Sequence, residues 1–460
     1  MKTRSIVLAS TGLALTAAAA VGGVTHLRAN AVADEVAAFE QSMKDGDVRV
    51  SSLAHETGLL RSTGRFELSM QPGCDVAEAG AKPLRATVEY ELAHFGMPNA
   101  PVRFKVSARP LGELGDALKD GLAGRALLVA EGSASRGGPL EAAVSMPELQ
   151  LREGRTTMKV AAGSGRFALS GSAMKLDWTT DRATVRDEDG AYEVRGVKFG
   201  MDLADLKLGT GQAKVEIEHV DTPQLQMEGL SLLSEASVRG DVLDARFAPT
   251  VRKVVVEDES LRDVALDVAM KGVHLKSWET LTKLATERCG FQGMTRAETD
   301  QAREAVRAML ARGLSIAVTR LAAAGEDGGV KGELELGLEP SGERGTKLPA
   351  SLATQAFARG RVEVTGRLLD DEQREFVLTS GFASEKGKAL VASFDYARGR
   401  LTVNGAPDRN GIAEQVQVAL AGADAVLAEA IGGAIGEPPR RDAPAAAAPA
   451  ARRKKVGLFD

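Results

Sequence analysis

The chain has 460 residues, 44% of them hydrophobic and 26% charged, the proportions of a folded globular protein and not of a disordered or collagen-like one. Aromatic residues make up only 4% and the formal net charge is −5. Because both termini are cationic, the body between them is more acidic still, which argues against a phosphate-backbone binder or a base-stacking platform, and no nucleic-acid partner is expected.

In chain order, the first signal is the uncharged run SIVLASTGLALTAAAAVGGV at 5–24, behind Lys2 and Arg4. It is an export signal, read as a signal-anchor over 1–28 that keeps the N-terminus cytoplasmic and sends everything after it across the membrane. The alternative is cleavage near Ala31, at the small-x-small site Ala29-Asn30-Ala31, which would release the body into the periplasm. Ala, Val and Phe recur at helical spacing in ANAVADEVAAFEQSM, so 29–46 is read as a stalk helix. No later window reaches about 18 apolar residues, so a single crossing is expected.

From 47 to 275 short alternating runs end in Gly, Pro, Asn or Asp, as in LRATVEYELAHFG and AYEVRGVKFGMDLADLKLG, and almost no helix is expected there. Asp189-Gly190 supplies a hairpin turn. A helix pair follows over 276–313: Ser277 to Cys289 with Ser277 as its cap, then Thr295 to Arg312 with a Thr295/Glu298 capping box and Gly313 as its stop. Leu281, Leu284 and Ala285, with Val306 and Met309, should be buried between the pair and the sheet. Strands resume over 314–408, a closing helix is expected over 410–436, and 437–460 is a Pro/Ala-rich basic tail without the means to make a core. The near-repeats ARGRVEVTG and ARGRLTVNG, like TGRFELSM and SGRFALSG, read as turns leading into strands, or else as the mark of an elongated sheet built by repeated β addition. The fold class is therefore mainly β with a few helices (α+β): an elongated antiparallel sheet bracketed by helices.

Motifs that carry chemistry are missing. His26, His55, His94, His219 and His274 form no HExxH or Cys/His spacing, and no GxSxG elbow occurs. GFASEKGKA misses the phosphate-loop spacing and leads into a strand pattern. The acidic runs Asp187-Glu188-Asp189, Glu257-Asp258-Glu259 and Asp370-Asp371-Glu372 lack EF-hand spacing and read as solvated turn or edge charge. Arg452-Arg453-Lys454-Lys455 reads as solubilising charge, with contact to anionic lipid or an acidic partner as the alternative. Cys74 and Cys289 are either a single bridge or two buried thiols. No catalytic residue, cofactor or metal ligand is assigned.

Taken in order, GLLRSTGRFEL, VALDVAMKGVHLKSWETLTKLA, AMLARGLSIAVTRLAAAGEDGGVKGELELGL and GRLTVNG, behind one N-terminal span, resemble the YdgA-like family of bacterial envelope proteins, whose shared region has no known function. The chain departs from it at His94-Phe95-Gly96-Met97, where such proteins commonly carry His-Gly-Pro. The resemblance implies an inner-membrane-anchored, mostly β periplasmic protein without assigned catalytic residues, and by analogy with AsmA-type proteins a connection to lipid handling. The expected function is noncatalytic: sheltering a lipid or other apolar ligand, or scaffolding envelope proteins or further copies of itself. An exported hydrolase with a non-local site, built on His94, His219 or His274, is the alternative.

Overall fold

The computed structural model describes residues 48–58, 60–70, 83–93, 102–135, 138–206, 208–257, 259–288, 294–340 and 351–431. The signal-anchor, the stalk, both cysteines, His26, His94 and the basic tail lie outside the described residues.

Strands β1 (Val48–Thr57), β2 (Arg61–Met70), β3 (Leu84–Ala93) and β4 (Val102–Leu111) lead into helix α1 (Gly112–Leu122). Then come β5 (Leu128–Ala134), β6 (Leu140–Met146), β7 (Leu149–Glu153), β8 (Thr156–Val160), β9 (Gly163–Ser170) and β10 (Ala173–Asp187). Five long strands follow: β11 (Gly190–Asp205), β12 (Thr210–Asp221), β13 (Leu225–Arg239), β14 (Val242–Val256) and β15 (Glu259–His274). Helices α2 (Leu275–Arg288) and α3 (Arg296–Arg312) precede β16 (Leu314–Ala324) and β17 (Gly328–Leu338). The remainder is α4 (Leu352–Gln355), β18 (Ala356–Gly366), α5 (Asp371–Thr379), β19 (Ser384–Lys386), β20 (Ala389–Ala397), β21 (Arg400–Val403), β22 (Ala406–Pro407) and α6 (Ile412–Ile431).

Among the described residues the 22 strands make one sheet in which every pairing is antiparallel and most join neighbours in sequence. The exceptions are local. β6 pairs with β9, the β7–β8 hairpin docks through β8 on the distal part of β10, and β18 pairs with β20. The mainly β expectation holds, as do the capping box of α3 and the Gly313 stop.

Three helices among the described residues were not expected: the single turn of α4, and the longer α1 and α5. In α1, Leu114, Leu118 and Leu122 recur every four residues and are buried, inside a stretch whose Gly and Asp content reads as turn. Gly121 lets α1 approach β7, since a Cβ there would overlap the Gln150 carbonyl. In α5, Asp370 and Gln373 form a capping box and Asp371 and Glu372 fill the first turn, so this acidic run serves a helix N-terminus and is not edge charge. α2 also begins two residues before Ser277. That hydroxyl lies 2.8 Å from His274 Nδ1 and is no end cap. Leu284 is buried as expected, but the most buried residues of α3 are Ala302, Ala305 and Arg307, with Val306 and Met309 half-buried.

The near-repeats are not all turns. Gly64, Gly165 and Gly360 sit inside β2, β9 and β18, and a Cβ would crowd Tyr90, Trp178 and Phe394 respectively. Gly64 and Gly360 each make room for an aromatic ring from the paired strand, and Gly165 for the Asp177 carbonyl as well as the Trp178 ring. Only at Arg398-Gly399, with φ of 52° and 74°, does the motif turn the chain.

One side of β1–β10 curls around a single core that runs from Val50 to Leu176 and takes in all three leucines of α1. Beyond β11 the described residues show no core of this extent, and buried apolar side chains reappear near α2 and α3, as at Val273 and Leu284.

Candidate apolar binding face

The cross-strand register shows how the long strands distribute their side chains. One transverse row reads Leu176, Met201, Ala213, Ser234 and Phe247 from β10 to β14. It continues as Val268, Val318, Leu334, Gly360 and Phe394 through β15–β18 to β20. At about 4.8 Å per strand, this apolar row extends some 43 Å across the sheet. The adjacent row, one residue along each strand and so on the opposite side, reads Lys175, Asp202, Gln212, Glu235 and Arg246, passes through the buried Ala269 and Ala317, and ends in Glu335, Arg359 and Asp395. The sheet thus has an apolar side and a charged side.

The charged side is tied together. Arg246 bridges Asp267 at 2.6 Å and Glu235 at 2.9 Å, and Lys175 meets Asp202 at 2.8 Å. Hydrogen bonding from Arg246 holds the Asp267 carboxyl below the usual range, and Arg239 with the Gly272 amide does the same for Asp244. A polar depression of about 620 Å³ lies among these groups, lined by Asp202, Glu235, Arg239, Asp244, Arg246 and Lys271. Of these charges, Arg239 pairs with Asp244 and Arg246 with Glu235, while Asp202 pairs with Lys175 beside the depression.

Among the described residues the apolar side is left open. Ile316 is 51% exposed, and Phe247 and Leu336 are each 48% exposed, although each sits between a polar residue and a small one, as a core-facing strand residue would. The described helices meet this part of the sheet near one rim, α2 and α3 against β15, α4 against β17 and α6 against β21.

A second feature keeps the apolar side continuous. In β11, β13 and β15, Gly196, Gly229 and Asp263 have φ of 63°, 64° and 51°, and the flanking registers place them at the same level of the sheet. Below that level the apolar residues of β11 are Val197, Phe199 and Met201; above it they are Tyr192 and Val194. Strict alternation would put the two sets on opposite sides. A left-handed residue turns the strand by one side-chain step, so both sets face the same way. Consistent with this, Trp178 and Phe199 from below the level, and Ala183 and Val185 from above it, pack against the same core.

A family model for a bacterial protein of unknown function (DUF945) matches residues 4–407. The chain belongs to this family. No curated protein and no solved structure matches it. The DUF945 match takes in the whole open face and ends before α6.

The histidines do not assemble within the described residues of this DUF945 chain. His55 contacts the Tyr90 hydroxyl at 2.8 Å, His219 lies in β12, and His274 pairs with the buried Ser277. No group of His, Cys, Asp or Glu among the described residues could hold a metal ion, and no described helix is long and apolar enough to cross a membrane. Asp187-Glu188-Asp189, Glu257 and Glu259 flank the β10–β11 and β14–β15 turns, with Asp187 Oδ1 accepting from the amides of Asp189 and Gly190. The open face itself was not assigned by residue from the sequence. Its signal was the long alternation, which carries no information about what packs on the apolar side.

Proposed function

We propose that this protein is a noncatalytic, membrane-anchored envelope protein of the YdgA-like type, with its body in the periplasm, and that its open face shelters the acyl chains of a lipid. The observation that carries this reading is the uncovered apolar side of β10–β20. It is aliphatic and aromatic and nearly free of hydrogen-bonding groups, a lining suited to a ligand that is itself a hydrocarbon. Contiguous exposed apolar surface of this kind marks a ligand or partner site. The uncharged N-terminal run, read as an anchor, would hold the face beside a source of such chains.

The test uses the full chain. A Phe247→Trp variant places an indole in the middle of the face, and a dibrominated fatty acid is titrated in. The expected result is saturable quenching beyond that of the parent chain, weakened roughly tenfold when Ile316 and Leu336 are both replaced by Asp, a loss of about 1.4 kcal/mol. Native mass spectrometry in a lipid-free amphipol should show copurifying lipid that extracts into organic solvent. No excess quenching and no bound lipid would overturn the reading.

A further inference from the structure

The two margins of the sheet are finished differently. At the C-terminal margin β20 is flanked by β19 and β21, of three and four residues, and β22 ends on Pro407, which has no amide N–H to offer. At the N-terminal margin stands β1, ten residues long and paired with β2. Its other side presents a row of backbone donors and acceptors with no strand beside it among the described residues.

Charge on the outer side of this half is organised across strands. Arg61 meets Glu91, Arg85 meets Glu67 at 2.7 Å, Arg109 meets Glu89, and Lys105 meets Glu131 at 2.7 Å. These pairs join β2 to β3, β3 to β4 and β4 to β5, and the series stops at β1. Arg49 and Glu56 are exposed on that same side, opposite the uncharged Ser69 and Thr63 of β2. Neither makes an ion pair among the described residues.

Arg49 stands one residue in from the start of β1, and Glu56 one residue in from its end. Turned antiparallel on itself about its midpoint, β1 therefore sets Arg49 of one copy opposite Glu56 of the other, twice. The same register sets Ser51 opposite Ala54 and Val50 opposite His55. Each couple agrees in side: Arg49, Ser51, Ala54 and Glu56 are exposed, while Val50 is buried and His55 half-buried beside Tyr90. β1 also carries one extra residue between Ser51 and Ala54, a bulge that would throw a regular foreign strand out of step. Because the bulge is centred on the midpoint of β1, a second copy meets the same irregularity and stays in register on both sides of it.

We infer that two copies of this chain join edge to edge through β1, antiparallel and related by a two-fold axis, into one continuous sheet. The contact carries the cross-strand ion pairs of β2–β5 over into the second copy. It is independent of lipid sheltering by the open face.

The experiment uses the full chain in a mild nonionic detergent, with dimer content read by native mass spectrometry over a concentration series. Arg49→Glu and Glu56→Arg each turn two attractive couples into repulsive ones, and each alone should weaken dimerisation roughly tenfold. Mixing the two variants should restore dimers of the mixed kind, in which every couple is again of opposite sign, and the double variant should dimerise like the parent. In the wild-type chain, the β1 amides should gain protection from hydrogen exchange as concentration rises, which covers the case of a variant that folds poorly. A chain that stays monomeric, with β1 exchange indifferent to concentration, would overturn the inference. So would a dimer indifferent to both reversals, or a loss that mixing does not repair. Quenching at position 247 needs only one copy, so the two readings fail separately.

Discussion

Leu118 of α1 and Phe247 of β14 both stand on the apolar side of one sheet, yet Leu118 is 3% exposed and Phe247 48%. The strands beneath them alternate in the same way. What differs is geometry: the first ten strands curl far enough to meet α1 and close on it, while the next strands are long and keep one side to themselves. An amphipathic strand pattern therefore specifies that an apolar side exists, not that the protein fills it.

Five measurements would break or sharpen this contrast. The largest effect is expected from Leu118→Asp, which buries a carboxylate without a partner and should cost several kcal/mol in urea unfolding. Ile316→Asp on the open side should cost less than about 1 kcal/mol, because the new carboxylate can reach water; equal losses would mean that the face is covered in solution. Leu284→Asp comes next. At 5% exposure, this α2 residue should respond like the closed core, and an unchanged Tm would show that the helix pair opens freely.

Glycines give a finer comparison. Gly64→Ala drives a methyl into the Tyr90 ring, which is 5% exposed and cannot move aside, for an expected loss of about 1–3 kcal/mol. Gly360→Ala meets Phe394 on the open side, where the ring is free to swing out, and should be milder. The two ΔΔG values from parallel denaturant melts decide the matter; a reversed order would place the freer ring in the closed half.

The smallest effects concern pH. Burial pushes Tyr90 up to about 12, so the folded state holds that proton more tightly than the unfolded chain does. Its contribution is complete below about pH 10, the ordinary tyrosine value, and is lost as pH rises toward 12; Tyr90→Phe should flatten the alkaline limb of a stability profile. Asp244 and Asp267 are held below their usual range, so the stability they add is present above about pH 4 and fades as pH falls through their lowered values. Asp267→Asn should soften that acid limb slightly, and an unaltered profile would show that the ion pairs of the charged side contribute nothing.

Much of this architecture is legible in the residues. The alternating runs, the Thr295/Glu298 capping box and the closing helix all come from local patterns that tertiary packing did not override. The misses have local causes too. Gly and Asp in GELGDALKDGL hide a helix whose three leucines are satisfied only by distant strands, and Asp370-Asp371-Glu372 is as good a helix start as it is a turn. The open face was half-legible. Its residues were readable as one side of a sheet, but exposure depends on which elements come to lie over them, and that is not written in any one strand.

The meander has one more consequence, for how the molecule comes into being. Because nearly every strand from β10 to β18 bonds to the one just before it, a lengthening chain always finds its next partner already in place. Growth can proceed hairpin by hairpin from the N-terminal end, each step closing only a short loop. The closed half is made first and can serve as the template, and an interruption in synthesis would leave a shorter sheet with a raw edge and not an unfolded chain.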